Sequence, residues 1–136
     1  MGPRIGEGGD MLLRTTSRTF GNAVIIDCEG KIVLGEETAF LHHQVKDLLN
    51  ESRCLVLNLA KVTYIDSSGV GELVGLFTSA KRVGARIVLA ALTGRVKDVL
   101  QITKLATIFE TYDSAEEAAE SFKPEAGFTT AAEFAG

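Results

Sequence analysis

The chain has 136 residues, of which 46% are hydrophobic and 24% are charged, and its formal net charge is −4. This length and composition predict one globular domain with a core of its own. The longest clean apolar run, residues 87–92, is far shorter than the roughly 20 residues that a membrane-spanning helix needs. The acidic balance disfavours nucleic acid as a main partner, because phosphate binding requires clustered Lys and Arg. We therefore expect neither membrane insertion nor nucleic-acid binding.

The two ends of the chain differ in composition from its middle. Residues 1–10 contain four glycines and a proline, and residues 123–136 mix Pro, Gly, Ala and Thr without a period. Both segments are predicted to be flexible, which leaves residues 11–122 as the folded domain. Cys28 and Cys54 lie in separate apolar runs and are predicted to be reduced core thiols, as in a cytoplasmic protein.

The first half of the domain is predicted to be rich in strands. Strands are expected over residues 12–22, 23–28 and 31–34, a helix over about 38–50, and a strand over 54–59. Gly30 and Gly35 are expected to end the second and third strands. Leu41, Val45 and Leu48 are spaced as on one helical face, whereas residues 54–59 form the near-continuous apolar run typical of a strand buried on both faces.

In the second half, helices and strands alternate. Helices are expected over residues 67–82, around residues 96–100 and from Ser114 to Phe122, with strands over 86–91 and 107–112. Gly84 is expected to end the first of these helices, and Ser114 with Glu117 forms a capping box at the start of the last. The whole pattern predicts an α/β fold in which about four helices pack on a mixed β-sheet.

The segment from Val62 to Leu73 follows the most buried strand and opens the most regular helix, which is where α/β proteins place functional loops. Asp66 is predicted to cap this helix by accepting hydrogen bonds from its first N–H groups. Ser67 would be the first helical residue, with an exposed hydroxyl. Gly69 and Gly71 lack side chains, which allows another backbone or chain to approach closely.

This segment resembles the Asp-Ser-Ser-Gly signature of the STAS domain family, in its anti-sigma-factor antagonist type. The extended family pattern is a Leu-Asn-Leu strand followed by Val-x-x-Ile-Asp-Ser-Ser-Gly-x-Gly-x-Leu. Here it reads Leu57-Asn58-Leu59 and then residues 62–73. The order of elements extends the resemblance over roughly residues 12–122.

The resemblance implies a phosphorylation switch. In the family, the first Ser of the signature is phosphorylated by a partner that is both an anti-sigma factor and a serine kinase, and a phosphatase reverses the modification. Carried onto this chain, the acceptor is Ser67. The implied partner-binding residues are Asp66, Ser67, Ser68, Gly69, Gly71 and Glu72. The resemblance implies no enzyme activity, no cofactor and no metal.

One part of the chain departs from the family pattern. The antagonists commonly carry a Gly-Glu-Leu-Asp-like stretch before the first helix, and its acidic residue helps to hold the partner. The matching region, residues 30–38, lacks that Asp, although Glu36 and Glu37 lie close by. The resemblance alone therefore leaves the identity of the partner open.

Other interpretations of these residues remain. The signature can serve only as a helix cap, or the domain can be a constitutive subunit of a membrane transport or signalling complex without phosphorylation. A serine hydrolase would need a base, and the histidines, His42 and His43, are adjacent on the first helix, where surface exposure is the default. The charges of Arg95, Lys97 and Lys104 are expected to form an ordinary solvated face.

Overall fold

The computed structural model describes residues 13–33 and 35–122, without the side chain of Glu37. The two terminal segments predicted to be flexible, 1–10 and 123–136, lie outside these residues. Within the described part, five strands and four helices follow one another in the chain. They are β1 (Leu13–Phe20), β2 (Ala23–Ile32), α1 (Glu36–Leu49), β3 (Cys54–Ile65), α2 (Ser67–Arg82), β4 (Arg86–Ala90), α3 (Gly94–Ile102), β5 (Thr111–Tyr112) and α4 (Ala115–Glu120).

The strands form one mixed sheet in the order β1-β2-β3-β4-β5. β1 pairs with β2 in the antiparallel sense through the tight turn at Gly21, and all other pairs are parallel. Each parallel connection contains a helix, as a crossover between parallel strands requires. The mixed α/β fold predicted from the sequence is therefore confirmed.

Two apolar clusters lie on opposite faces of the sheet. The larger cluster joins the sheet to α1, α2 and α3 through buried Leu, Ile and Val side chains such as Leu41, Leu73 and Val96. The smaller cluster lies under α4, whose Ala115, Ala118 and Ala119 pack on the sheet. Because α4 has only six residues, it covers part of this second face and leaves open the carboxyl-terminal halves of β2 and β3 and the amino-terminal half of β1, which pairs antiparallel beside them.

The separate third strand predicted over residues 31–34 is wrong, because Lys31 and Ile32 belong to β2. Gly30 does not end the strand. It adopts a φ of 117° next to shifts in the register between β2 and β3, as a bulge does. The extra residues at these shifts lie in β3, so β2 keeps its alternation of faces and Cys28 and Ile32 both lie in the larger apolar cluster.

Two other strand boundaries differ from the prediction. β3 extends six residues beyond the apolar run, to Ile65, because β2 is long enough to pair with it there. The last strand is only Thr111–Tyr112, and residues 107–109 form turns instead. Strand length thus follows the available partner rather than hydrophobicity alone.

The described residues contain no helix that is both long and apolar enough to cross a membrane. Both cysteines are free thiols; Cys28 is buried, as predicted, whereas Cys54 is only half-buried. Burial raises the pKa of the Cys28 thiol to about 12.

Candidate functional site

The junction between β3 and α2 holds the start of α2 firmly. Asp66 has an extended backbone, and its Oδ1 accepts a hydrogen bond of 2.9 Å from the Gly69 N–H. This is the N-cap predicted from the sequence, and α2 covers the predicted residues, Ser67–Arg82. At the other end, Val83 closes the helix and Gly84 follows with a φ of 77°.

Ser67 and Ser68 are the first two residues of α2, and both are exposed. Within the described part of the chain, neither hydroxyl is engaged in a hydrogen bond. His42 contacts α2 near Glu72 and Gly75, further along the helix than either serine. Neither histidine therefore hydrogen-bonds to Ser67 to act as a base, and the Ser67 hydroxyl is exposed to solvent.

The two glycines of the signature lie in opposite environments. Gly69 is buried, and a Cβ built on it would lie 1.9 Å from the carbonyl oxygen of Ile32 and 2.9 Å from Cγ1 of Ile65. The backbone that approaches Gly69 is thus the end of β2 in the same chain. Gly71 is exposed, and a Cβ there would meet nothing within 4 Å. Only Gly71 leaves open space for a second molecule.

Glu72 lies between α2 and α1. Its Oε1 is 3.9 Å from Nδ1 of His42, and both side chains are about one-third exposed. One turn further along α2, a Cβ on Gly75 would lie 3.7 Å from Cε1 of His42. His42 is therefore an interhelical contact and not the solvated histidine expected by default, whereas His43 is exposed.

The electrostatic environment of Ser67 is suited to a negative group. The first turn of α2 contains no acidic residue, so Asp66 is the carboxylate that faces the positive end of the helix dipole there. Free N–H groups and that dipole favour a phosphate at a helix N-terminus. The same phosphate would stand beside the Asp66 carboxylate, and would make the surface around a neutral hydroxyl strongly acidic.

A second polar region lies on the open face of the sheet, where sequence reasoning predicted nothing. Asp27 accepts hydrogen bonds from Nε of Arg18 at 2.7 Å and from Nδ2 of Asn58 at 2.7 Å. The Arg18 hydrogen bond, followed by that of Asn58, lowers the pKa of the Asp27 carboxyl. These residues line a cavity of about 480 Å³. They come from three strands, and only the register of the sheet brings them together.

Among the described residues, no group of His, Cys, Asp or Glu side chains is arranged to hold a metal ion. The candidate site is therefore the exposed start of α2, with Ser67, Ser68, Gly71 and Glu72 at the surface. Asp66 and Gly69 shape it from beneath.

Comparisons with known proteins identify relatives of this chain. The family model of the STAS domain matches residues 14–118. An anti-sigma-B factor antagonist of Listeria monocytogenes is 35% identical over 83 residues, which cover 57% of this chain and 73% of the relative. Among solved structures, a proposed anti-sigma factor antagonist from Thermotoga maritima is 28% identical with a TM-score of 0.69, over 79% of this chain and 92% of its own.

The fold is shared with a more distant protein whose structure is known in two states. The anti-sigma factor antagonist SpoIIAA in its unphosphorylated form is 19% identical with a TM-score of 0.68, over 79% of this chain and 95% of its own. The phosphorylated form of the Bacillus protein is 18% identical with a TM-score of 0.65, over 81% of this chain and all of its own. Because the family model spans most of the chain, this protein belongs to the STAS domain family.

Proposed function

We propose that this protein is a cytoplasmic anti-sigma-factor antagonist, and that phosphorylation of Ser67 switches it off. Its partner is an anti-sigma factor that is also a serine kinase, and a phosphatase returns Ser67 to its active form. The protein acts as the substrate of these enzymes and not as an enzyme itself. The observation that carries the proposal is the exposed, unengaged hydroxyl of Ser67 on a rigidly capped helix start.

The exposure of the hydroxyls supports this role. A kinase needs access to the hydroxyl, and Ser67 and Ser68 both offer it. Gly71 adds no side chain to the surface formed by Ser67, Ser68 and Glu72, which would let a partner approach the helix closely. The name of the Listeria relative, an anti-sigma-B factor antagonist, supports the antagonist part of the proposal.

The charge change explains how one modification can separate two proteins. A phosphate adds about −1.5 to −2 charges at neutral pH. A partner surface shaped for a neutral hydroxyl would then face like-charge repulsion and a desolvation cost. Each 1.4 kcal/mol or so of lost binding free energy weakens the complex about tenfold, so about 3 kcal/mol would weaken it more than a hundredfold.

The test is reconstitution with an anti-sigma factor that is also a serine kinase, taken from the same organism. Phosphate transfer from ATP is followed by intact mass, the site is mapped by peptide mass spectrometry, and binding is measured by titration calorimetry. Ser67→Ala should remain bound in the presence of ATP, and Ser67→Asp should bind at least tenfold more weakly.

The matched control is Ser68→Ala, which removes the neighbouring exposed hydroxyl. It should be phosphorylated and released like the wild type. Phosphate on Ser68 instead of Ser67 would refute the assignment of the acceptor. Equal binding by the wild type, Ser67→Ala and Ser67→Asp would refute the switch and favour a constitutive subunit.

A further inference from the structure

A group of basic side chains surrounds an exposed tyrosine at the carboxyl edge of the sheet, next to α2. Its members come from β1, β2, β3 and the first turn of α3. We call this group the basic strip, and it consists of Arg14, Lys31, Lys61, Tyr64 and Arg95.

The sheet register places these residues side by side. Lys31 of β2 is the pairing partner of Tyr64 in β3, and the Arg95 guanidinium lies 4.7 Å from the centre of the Tyr64 ring. The strip therefore has an aromatic surface between two cations. Thr93, just before α3, donates a hydrogen bond of 3.1 Å to the Val62 carbonyl and so fixes the start of α3 beside β3.

The next row of the sheet extends the strip. Glu29 pairs with Arg14 on one side and Lys61 on the other. Its only ion pair among the described residues is a long one, 3.8 Å to Nη1 of Arg14, and both side chains are more than half exposed. The strip thus carries four cations around two carboxylates, Glu29 and the Asp27 that is hydrogen-bonded to Arg18, on a chain whose net charge is −4.

The position of Tyr64 joins the strip to the proposed switch. Tyr64 is two residues before the cap Asp66 and three before Ser67, and its ring is about one-third exposed. A protein that covers the start of α2 would therefore also reach the strip. The contact between the Arg95 guanidinium and the Tyr64 ring is exposed, and such a contact stabilises a fold only modestly. Arg95 can therefore leave the ring to bind a second molecule.

We infer that the basic strip binds an acidic segment of the same partner that recognises Ser67. This inference rests on the proposed function. A protein segment fits better than a nucleic acid or a lipid surface, because the chain as a whole is acidic and would repel an extended polyanion. The carboxylates of Asp27 and Glu29 also lie between the cations. A short peptide whose acidic residues are spaced apart can contact the cations and avoid these carboxylates.

The inference also predicts how the switch and the strip interact. The Ile32 carbonyl, next to Lys31 in the chain, meets Gly69 in the first turn of α2, so a phosphate on Ser67 would project near that end of the strip and would compete with the partner's carboxylates for its cations. Modification would then weaken the complex at two places, by repulsion at α2 and by competition at the strip.

The first experiment uses hexaglutamate as the probe and full-length protein. Amide chemical shifts should move around Tyr64 and Arg95, and the affinity should fall as salt is raised. The double reversal Lys61→Glu with Arg95→Glu should weaken binding about tenfold. The matched control, Lys46→Glu with Arg82→Glu, makes the same change in net charge on exposed residues elsewhere and should leave affinity nearly unchanged.

The second experiment titrates the same variants against the anti-sigma factor kinase. The strip variant should bind about tenfold more weakly than the control. The substitutions leave Ser67 unchanged, so the kinase should still be able to phosphorylate it in the strip variant. If both double variants bind equally well, the strip inference is overturned and the switch can still stand. Tighter binding of an oligonucleotide, or of phosphatidylserine vesicles, than of hexaglutamate would also overturn it.

Discussion

Gly69 gives the sharpest test of how α2 is seated on the sheet. In the variant Gly69→Ala, the new methyl group would lie 1.9 Å from the Ile32 carbonyl oxygen and 2.8 Å from its carbon. Both atoms are backbone in β2, so they cannot move aside as a flexible side chain would. The start of α2 must shift away by roughly 1.5 Å to reach ordinary van der Waals contact.

The expected magnitude follows from two opposing effects. Overpacking against rigid backbone costs about 3 kcal/mol, and a shift of the helix also strains the Asp66 cap bond. Alanine is favoured over glycine inside a helix by about 1 kcal/mol. Gly69→Ala should therefore lose about 2 kcal/mol in the free energy of unfolding.

Gly71→Ala is the matched control, because it makes the same substitution two residues later. A Cβ there meets nothing within 4 Å, so only the helix preference remains and the variant should gain about 1 kcal/mol. Urea unfolding followed by circular dichroism gives both values, provided that the slopes agree. Equal stabilities for the two variants would refute the close contact between α2 and the end of β2.

Three further predictions concern the rest of the domain. Cys54 should react with iodoacetamide well before Cys28, whose pKa is raised to about 12 by burial; peptide mapping of partially labelled protein shows the order. Because the Arg18 hydrogen bond lowers the pKa of Asp27, its carboxylate stabilises the fold above the unfolded pKa of about 3.9, and this contribution disappears as the pH falls through the lower folded pKa. Asp27→Asn should thus lose about 1 kcal/mol at pH 7 and progressively less below pH 4, as urea midpoints across pH will show. Ser114→Ala removes a cap bond of 3.0 Å at the start of α4 and should cost about 1 kcal/mol by thermal unfolding.

The helices were predictable because their signals are local. The bounds of α2 follow from its apolar spacing, from Asp66 as a cap and from the glycine after its end. Ser114 likewise caps α4 as predicted, by accepting from the Glu117 N–H. The Glu117 carboxylate accepts from the Asp113 N–H at 3.2 Å, one residue before the group that a capping box would use.

The errors concern features that depend on other parts of the chain. Gly30 looks like the end of a strand in sequence, yet β2 continues through it because β3 provides pairing partners as far as Ile65. The predicted strand over 107–112 shrinks to two residues because β4 pairs just Leu89 and Ala90 with it. A single sequence contains no local sign of either register.

In the candidate site, too, local features could be predicted from the sequence and features that depend on distant residues could not. Asp66 and the exposure of Ser67 could be predicted, since both follow from the start of one helix. The different roles of Gly69 and Gly71 could not, because they depend on where the Ile32 carbonyl lies. Arg95 was expected to be merely solvated, and its neighbour Tyr64 is 31 residues away in the chain.

At the start of α2, the residues that stabilise the fold and the residues that a partner could contact lie on different sides of the helix. Its inward side is fixed by the Asp66 cap and by the contact of Gly69 with β2, whereas its outward side exposes Gly71 and two hydroxyls that form no hydrogen bond within the described part of the chain. A phosphate on Ser67 would project from the outward side and leave the two inward contacts in place. The modification can therefore alter the charge that a partner meets without moving the helix, so a switch at this site needs no conformational change to act.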